Sequence, residues 1–168
     1  MDEKTVKEFI TGLKEAGINF IASLSCTGIK YALPDIMKDP DFIHVPVANE
    51  GDGISACTGA YMGGKKPGML MQNSGFILAT YPLMNNIHRF GGTPMLLVID
   101  HRGDFGDGVA EWYFAPGIQT TPILESFQIP YTIVREGNKI RSALVSGQKT
   151  TEAYGKPVAV LLSGEDIW

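Results

Sequence analysis

The feature that most restricts the fold of this chain is the regular alternation of short apolar runs with longer segments of helical periodicity. Two of the runs, Met-Leu-Leu-Val-Ile at 95–99 and Val-Ala-Val-Leu-Leu at 158–162, are apolar at every position. A strand of this kind needs cover on both faces, as central strands of a parallel sheet have. The alternation therefore predicts an α/β fold with a doubly wound, mostly parallel six-stranded sheet and helices on both faces.

The predicted elements run through the whole chain without an internal repeat or a linker. Strands are predicted at 18–24, 42–48, 68–72, 95–99, 131–134 and 158–162. An amphipathic first helix is predicted from the spacing of Val6, Phe9, Ile10 and Leu13, and Gly17 ends it. Further helices are predicted at 27–38, 51–64, 75–90, 119–127 and 138–154. The segment 101–117 lacks periodicity, and connections of that length are usually functional or mobile.

Composition restricts the class of function. The chain has 168 residues, which predicts a single domain over 1–168, and 44% of them are hydrophobic. Lys and Arg total 14 against 18 Asp and Glu, so no basic excess exists for nucleic acid or an anionic membrane. Cys26 and Cys57 form no CxxC pair, which argues against a disulfide framework or a structural zinc site. With neither a signal peptide nor a long apolar run, we expect a cytoplasmic protein.

Ligand sites of open α/β sheets lie outside the carboxyl ends of the strands. That rule selects the segments 25–28, 49–53, 73–75 and 101–108. Glu50 is the most distinctive residue among them, because it lies between a strand and a helix of small residues. Position alone favours the explanation of Glu50 as a solvated acid in the first turn of a helix.

Two motifs carry a resemblance to a known family. They are Glu50 with Gly-Ala-Tyr-Met-Gly-Gly-Lys-Lys-Pro at 59–67, and Leu-Met-Gln-Asn-Ser-Gly at 70–75. Together they resemble the pyrimidine-binding domain of thiamine diphosphate enzymes, which has a flavodoxin-like fold. Within that superfamily the chain is most similar to the alpha subunit of sulfopyruvate decarboxylase and to the matching part of phosphonopyruvate decarboxylase.

The resemblance implies a role for each motif. Glu50 would hydrogen-bond N1′ of the aminopyrimidine of thiamine diphosphate and so promote removal of the thiazolium C2 proton. Gln72, Asn73, Ser74 and Gly75 would lie against the aminopyrimidine. Capping of the following helix by Asn or Ser is an alternative explanation for the polar residues of this loop, and it is compatible with cofactor contact.

The two Gly-Asp-Gly triplets do not match the family's magnesium motif, in which Asn-Asn follows about thirty residues after the triplet starts. The first triplet, 51–53, has its nearest Asn-Asn at 85–86, and the second, 106–108, has only Asn138. We interpret both as turn or helix-start glycines and expect no metal ligands in this chain. The Mg²⁺ and diphosphate site is therefore expected on a beta subunit of similar size, in a hetero-oligomer.

The substrate implied by the resemblance is a small anionic 2-oxoacid. Sulfopyruvate, giving sulfoacetaldehyde and carbon dioxide, is the leading expectation, and phosphonopyruvate or another 2-oxoacid is the alternative. Ser25, Thr27 and Arg102 are the candidate substrate ligands, although Ser25 or Thr27 is equally well explained as a helix cap. A non-catalytic, flavodoxin-like binding or regulatory subunit is the alternative of a different class.

Overall fold

The computed structural model describes residues 1–89, 91–108, 111–164 and 167. Its six strands form one sheet in the order β2-β1-β3-β4-β6-β5, and every neighbouring pair is parallel. The strands are β1 Phe20–Ser23, β2 Ile43–Pro46, β3 Pro67–Gln72, β4 Leu96–Asp100, β5 Tyr131–Val134 and β6 Val158–Leu162. All six predicted strands are thus confirmed, and the predicted mostly parallel sheet is parallel throughout.

Seven α-helices cover the sheet within the described residues. They are α1 Glu3–Glu15, α2 Leu33–Lys38, α3 Glu50–Met62, α4 Asn73–Leu78, α5 Thr80–Arg89, α6 Phe114–Ser126 and α7 Ile140–Tyr154. Single 3-10 turns precede three of them, at Ile29–Tyr31, Glu111–Tyr113 and Gly137–Lys139. None of the helices described is long and apolar enough to cross a membrane.

The core consists of two apolar layers, one on each face of the sheet. Successive side chains of a strand point to opposite faces. In β4, Leu96 and Val98 therefore pack with α1 and α7, whereas Leu97 and Ile99 pack against the face covered by α3 to α6. Every residue of β4 and β6 is buried, which confirms the expectation drawn from their unbroken apolar runs. The edge strands β2 and β5 are the more exposed ones.

The predicted helix 75–90 is wrong as a single element, because it is divided into α4 and α5. Proline has no N–H, so Pro82 cannot donate to the carbonyl of Leu78 and continue α4. Helical backbone hydrogen bonding resumes in α5, where the amide of Leu83 donates to the carbonyl of Ala79. The predicted last residue, Phe90, lies outside the described residues.

Two further helix boundaries differ from the prediction. The segment predicted as a helix at 27–38 is a 3-10 turn followed by α2, with Pro34 in the first turn of α2. Pro34 cannot donate to the carbonyl of Lys30, and this missing hydrogen bond favours a break in the helix at that point. In addition, α6 starts at Phe114 rather than at 119, and the connection predicted as 101–117 is helical at its end. Val109 and Ala110 of that connection lie outside the described residues.

Candidate active site

The candidate site lies where the carboxyl ends of β2, β3 and β4 meet the helices that follow them. Asn49 caps α3, since its side-chain oxygen accepts a hydrogen bond of 2.9 Å from the amide of Asp52. This cap makes Glu50 the first residue of α3. At the end of β3 no connection intervenes, because Gln72 is the last residue of the strand and Asn73 the first of α4.

Glu50 and Gly75, one from each motif, are in direct contact. The Glu50 side chain lies so close to the α-carbon of Gly75 that a Cβ there would be 1.8 Å from Oε1 and 2.1 Å from Cδ. Only glycine permits this approach. Glu50 is 7% exposed, and none of the ion pairs found among the described residues includes it. The structure thus places a buried carboxyl group at the end of β3, and no Lys or Arg side chain of the described residues forms an ion pair with it.

The polar residues between β3 and α4 have defined contacts. Gln72 donates from Nε2 to Ser74 Oγ over 2.8 Å. Asn73 is fully buried and donates from Nδ2 to the carbonyl of Arg102 over 2.7 Å, while its Oδ1 accepts no hydrogen bond in the described part of the protein. No side chain caps α4. The capping explanation for this loop is therefore not observed, and a buried acceptor is left unsatisfied.

The aspartates of the two Gly-Asp-Gly triplets hold the backbone. Asp52 is exposed and completes the cap of α3, accepting from Asn49 Nδ2 over 2.6 Å. Asp107 accepts from Gly103 N over 2.8 Å and from Arg102 Nε over 3.0 Å. Within the ranges the structure describes, no three His, Cys, Asp or Glu side chains are grouped so that they could hold a metal ion.

The candidate substrate ligands differ in their availability. Ser25 and Thr27 are exposed in the segment that follows β1. Arg102 is 3% exposed, and its guanidinium pairs with both carboxylate oxygens of Asp107 and lies 5.5 Å from the centre of the Tyr113 ring. A contact between Arg102 and substrate stays a prediction, made on a guanidinium that Asp107 already neutralises.

Asp100 is a buried charged residue that the sequence reasoning missed. It ends β4, is fully buried, and accepts a hydrogen bond of 2.9 Å from the amide of Gly28 on Oδ2. Its Oδ1 has no partner among the described residues, and burial raises the pKa of this carboxyl group. The available signal was a charged residue directly after a strand that is apolar at every position.

His101 and Cys57 are two further buried residues with titratable side chains. The Nε2 atom of His101 lies 3.1 Å from the carbonyl of Gly117, which ties the end of β4 to α6. Burial raises the pKa of the Cys57 thiol to about 12, so this thiol is not a nucleophile at neutral pH.

Comparison with known proteins identifies the family. No family model matches the chain. The chain is 33% identical over 154 residues to the sulfopyruvate decarboxylase subunit alpha of Methanococcus maripaludis, an alignment that covers 88% of this chain and 87% of that subunit. The chain belongs to the sulfopyruvate decarboxylase alpha-subunit family.

Two further similarities fit this membership. The sulfopyruvate decarboxylase of Methanosarcina acetivorans is 30% identical over 131 residues, which cover 76% of this chain but only 32% of that longer protein. Among solved structures, 2-oxoglutarate:ferredoxin oxidoreductase from Magnetococcus marinus superimposes with a TM-score of 0.71 at 19% identity, over 99% of this chain and 29% of the other. The α/β fold of this sulfopyruvate decarboxylase alpha-subunit homologue is therefore shared with part of a larger oxidoreductase.

Proposed function

We propose that this chain is the pyrimidine-binding alpha subunit of a thiamine diphosphate-dependent, non-oxidative 2-oxoacid decarboxylase. The reaction proposed is the conversion of sulfopyruvate to sulfoacetaldehyde and carbon dioxide. The observation that carries the proposal is the buried carboxyl group of Glu50, held against Gly75 with no cation paired to it among the described residues.

Glu50 is proposed as the residue that exchanges a proton with the cofactor ring. A positioned carboxyl group can act as a general acid or base towards a ring nitrogen within hydrogen-bond reach, and an ion pair with Lys or Arg would compete with that contact. Its position on α3 is fixed by the Asn49 cap, and its side chain is held by contact with Gly75. Both features keep Oε1 at one place at the carboxyl end of β3.

The donor and acceptor set of this edge fits an aminopyrimidine. Such a ring carries an amino donor and ring-nitrogen acceptors. The edge provides the Glu50 carboxyl group, the Gln72 amide and the unsatisfied Oδ1 of Asn73. We assign Gln72, Asn73, Ser74 and Gly75 to the cofactor-binding surface, where the missing Cβ of Gly75 leaves room for the Glu50 side chain. When bound, thiamine diphosphate supplies the electron sink for loss of carbon dioxide.

The Mg²⁺ and diphosphate site is proposed to belong to a beta subunit. Two observations support this division. The Methanococcus relative is named as a subunit alpha, and the matching part of the Methanosarcina protein is about a third of its length. In addition, Asp52 and Asp107 are occupied by the α3 cap and by Arg102. The active enzyme is therefore proposed to be a hetero-oligomer.

Sulfopyruvate is proposed as the substrate because the chain belongs to the sulfopyruvate decarboxylase alpha-subunit family. Phosphonopyruvate is the alternative, since it is also a small 2-oxoacid with a second anionic group. Ser25 and Thr27 are proposed to contact this substrate, since both hydroxyl-bearing residues are exposed after β1. Arg102 is proposed as a weaker contributor, because Asp107 already accepts two of its hydrogen bonds.

The test is carbon dioxide release from sulfopyruvate and from phosphonopyruvate, with thiamine diphosphate and Mg²⁺. Each substrate is supplied to the chain alone, to its beta subunit alone and to both together. Release that requires both chains supports the proposal and ranks the substrates. A stable complex that releases no carbon dioxide from any 2-oxoacid contradicts it and favours a non-catalytic binding subunit.

A further inference from the structure

Asp100 connects two segments of the candidate site that are far apart in the chain. In the sheet it lies beside Gln72 of β3 and Leu162 of β6. Its Oδ2 accepts a hydrogen bond from the amide of Gly28, a residue 72 positions away. Asp100 lies on the same face of β4 as Leu96 and Val98. Its side chain therefore enters the core layer that also contains Ile29 and the apolar residues of α1.

A carboxyl group is an unfavourable occupant of this layer unless it makes a specific contact. Burying a carboxyl group costs free energy, and an oxygen without a hydrogen bond adds to that cost. Asp100 is 0% exposed and its Oδ1 has no partner among the described residues. A leucine would fill such a position at lower cost. The hydrogen bond to Gly28 is the contact that an apolar residue cannot make.

That bond fixes one end of the segment holding two of the candidate substrate ligands. At the start of the segment, the amide of Leu24 bonds to the carbonyl of Leu70 in β3. At its end, the amide of Gly28 bonds to Asp100. Ser25 and Thr27 lie between these two attachments and are exposed. The bond to Asp100 is therefore one of two backbone attachments that flank these hydroxyl groups.

We propose that Asp100 is a positioning residue of the decarboxylase, which holds the 25–28 segment through the Gly28 amide so that Ser25 and Thr27 face the 2-oxoacid. This inference rests on the proposed function. Asp100 itself touches neither substrate nor cofactor, and its effect passes through the backbone of Gly28.

The charged and titratable neighbours of Asp100 are Arg102 and Asp107 on the connection after β4, the Cys26 thiol on the attached segment, and the amino group of Met1 before α1. Burial raises the pKa of Asp100. The contact does not require the charged form, because a neutral carboxyl group and an amide also accept a hydrogen bond from Gly28. Asp100→Asn therefore preserves the contact, whereas Asp100→Leu preserves the volume and removes the acceptor.

The experiment compares wild type, Asp100→Asn and Asp100→Leu in the complete complex with the beta subunit. The first readout is hydrogen exchange of the Gly28 amide, with the amide of Ile99 in β4 as internal reference. We expect exchange at Gly28 to accelerate by up to about tenfold in Asp100→Leu, as for loss of a typical hydrogen bond, and to stay near wild type in Asp100→Asn.

The second readout is the split between KM and kcat for the 2-oxoacid that proves to be the substrate. We expect KM to rise by about tenfold in Asp100→Leu with kcat nearly unchanged, because loss of substrate positioning acts on binding. If Asp100→Leu does not fold, Asp100→Ser replaces it, since a serine side chain is too short to reach Gly28.

The outcomes separate the two levels of inference. A wild-type complex without decarboxylase activity rejects the proposed function and, with it, the substrate role of Asp100. An active complex in which Asp100→Leu leaves Gly28 exchange or KM unchanged rejects the role of Asp100 alone. An equal change in Gly28 exchange and in KM for Asp100→Asn and Asp100→Leu also rejects it, because the hydrogen-bond acceptor kept in Asp100→Asn would then have no effect.

Discussion

Glu50 and Asp107 are both buried carboxyl groups near the carboxyl end of the sheet, yet their surroundings differ completely. Asp107 forms a buried ion pair with Arg102, in which both side chains are 4% exposed. Glu50 lies against the bare α-carbon of Gly75, and none of the described ion pairs includes it. Asp107, neutralised by Arg102, also accepts from the amide of Gly103 and so stabilises the connection after β4. The Glu50 carboxyl group is held by packing against Gly75 and forms none of the described ion pairs.

The same tripeptide accompanies both acids, which shows how little it specifies alone. Gly51-Asp52-Gly53 directly follows Glu50, and its exposed aspartate completes a helix cap. Gly106-Asp107-Gly108 turns its aspartate inward, towards Arg102 and the amide of Gly103. The two aspartates differ because the first triplet lies in the first turn of α3, whereas the second lies in the connection that follows β4.

The largest effect is expected from Glu50→Gln, which keeps the size of the side chain and removes its acid–base function. We expect thiamine diphosphate C2-proton exchange in the complex to slow by about 10²–10⁴-fold, the range that positioned acid–base groups supply. Exchange is measured by NMR after rapid acid quenching. The matched control is Asp52→Asn, in the same helical turn but exposed, which we expect to leave exchange unchanged. Unchanged exchange in Glu50→Gln would refute the role of Glu50.

Asp107→Asn tests whether the buried pair of Asp107 with Arg102 stabilises the fold. It removes the carboxylate charge from the buried Arg102–Asp107 pair, and loss of one partner of such a pair costs up to about 3 kcal/mol of unfolding free energy. Urea denaturation measures the loss. Glu15→Gln, at the exposed pair with Arg141, is the control and should cause only a small change. A loss no larger than that of the control would show that the Arg102 pair does not hold the connection.

Gly75→Ala tests whether packing alone holds Glu50. The added Cβ would lie 1.8 Å from Oε1, so the Glu50 side chain must move. A misplacement of about 1 Å in catalytic geometry lowers rates by up to about 10²-fold, and we expect a loss of about 10- to 10²-fold in carbon dioxide release.

The control for Gly75→Ala is Gly59→Ala, where a Cβ would meet no atom within 4 Å. Alanine in a helix interior is better than glycine by about 0.5–1 kcal/mol, so this variant should be slightly more stable than wild type. If the two variants have equal activity, the contact between Glu50 and Gly75 is not what positions the acid.

The smallest effect is expected in the pH dependence of stability that Asp100 contributes. Burial raises the pKa of Asp100 above its ordinary value of 3.8, so the folded protein holds this proton more tightly than the unfolded chain. The contribution of the group to stability is therefore full below that value and is lost as pH rises towards the raised pKa. Relative to Asp100→Asn, wild type should lose unfolding free energy in urea titrations as pH rises above about 4, the ordinary pKa of an aspartate. A constant difference would show that the carboxyl group is not perturbed.

The prediction of the strands succeeded because their signal is local. The runs 95–99 and 158–162 are apolar at every position, and only a buried strand with cover on both faces accommodates them. The division of the predicted helix 75–90 also had a signal in the sequence, because Pro82 cannot donate the backbone hydrogen bond of a regular helix. The prediction missed it because the apolar residues on both sides of Pro82 keep a helical spacing. The start of α6 was missed because Pro116 and Gly117 are typical of turns, although proline is tolerated in the first turn of a helix.

The amino-acid sequence by itself determined where the strands lie, that they form a parallel sheet, and that Glu50 and Gly75 each end up at its carboxyl edge. Only the tertiary structure decided which side chains meet there. Contact of Glu50 with Gly75, pairing of Arg102 with Asp107 and the bond from Gly28 to Asp100 depend on strand order and on connection paths. Periodicity reports the environment of one segment at a time, whereas partners across the edge of a sheet are set by packing between distant segments.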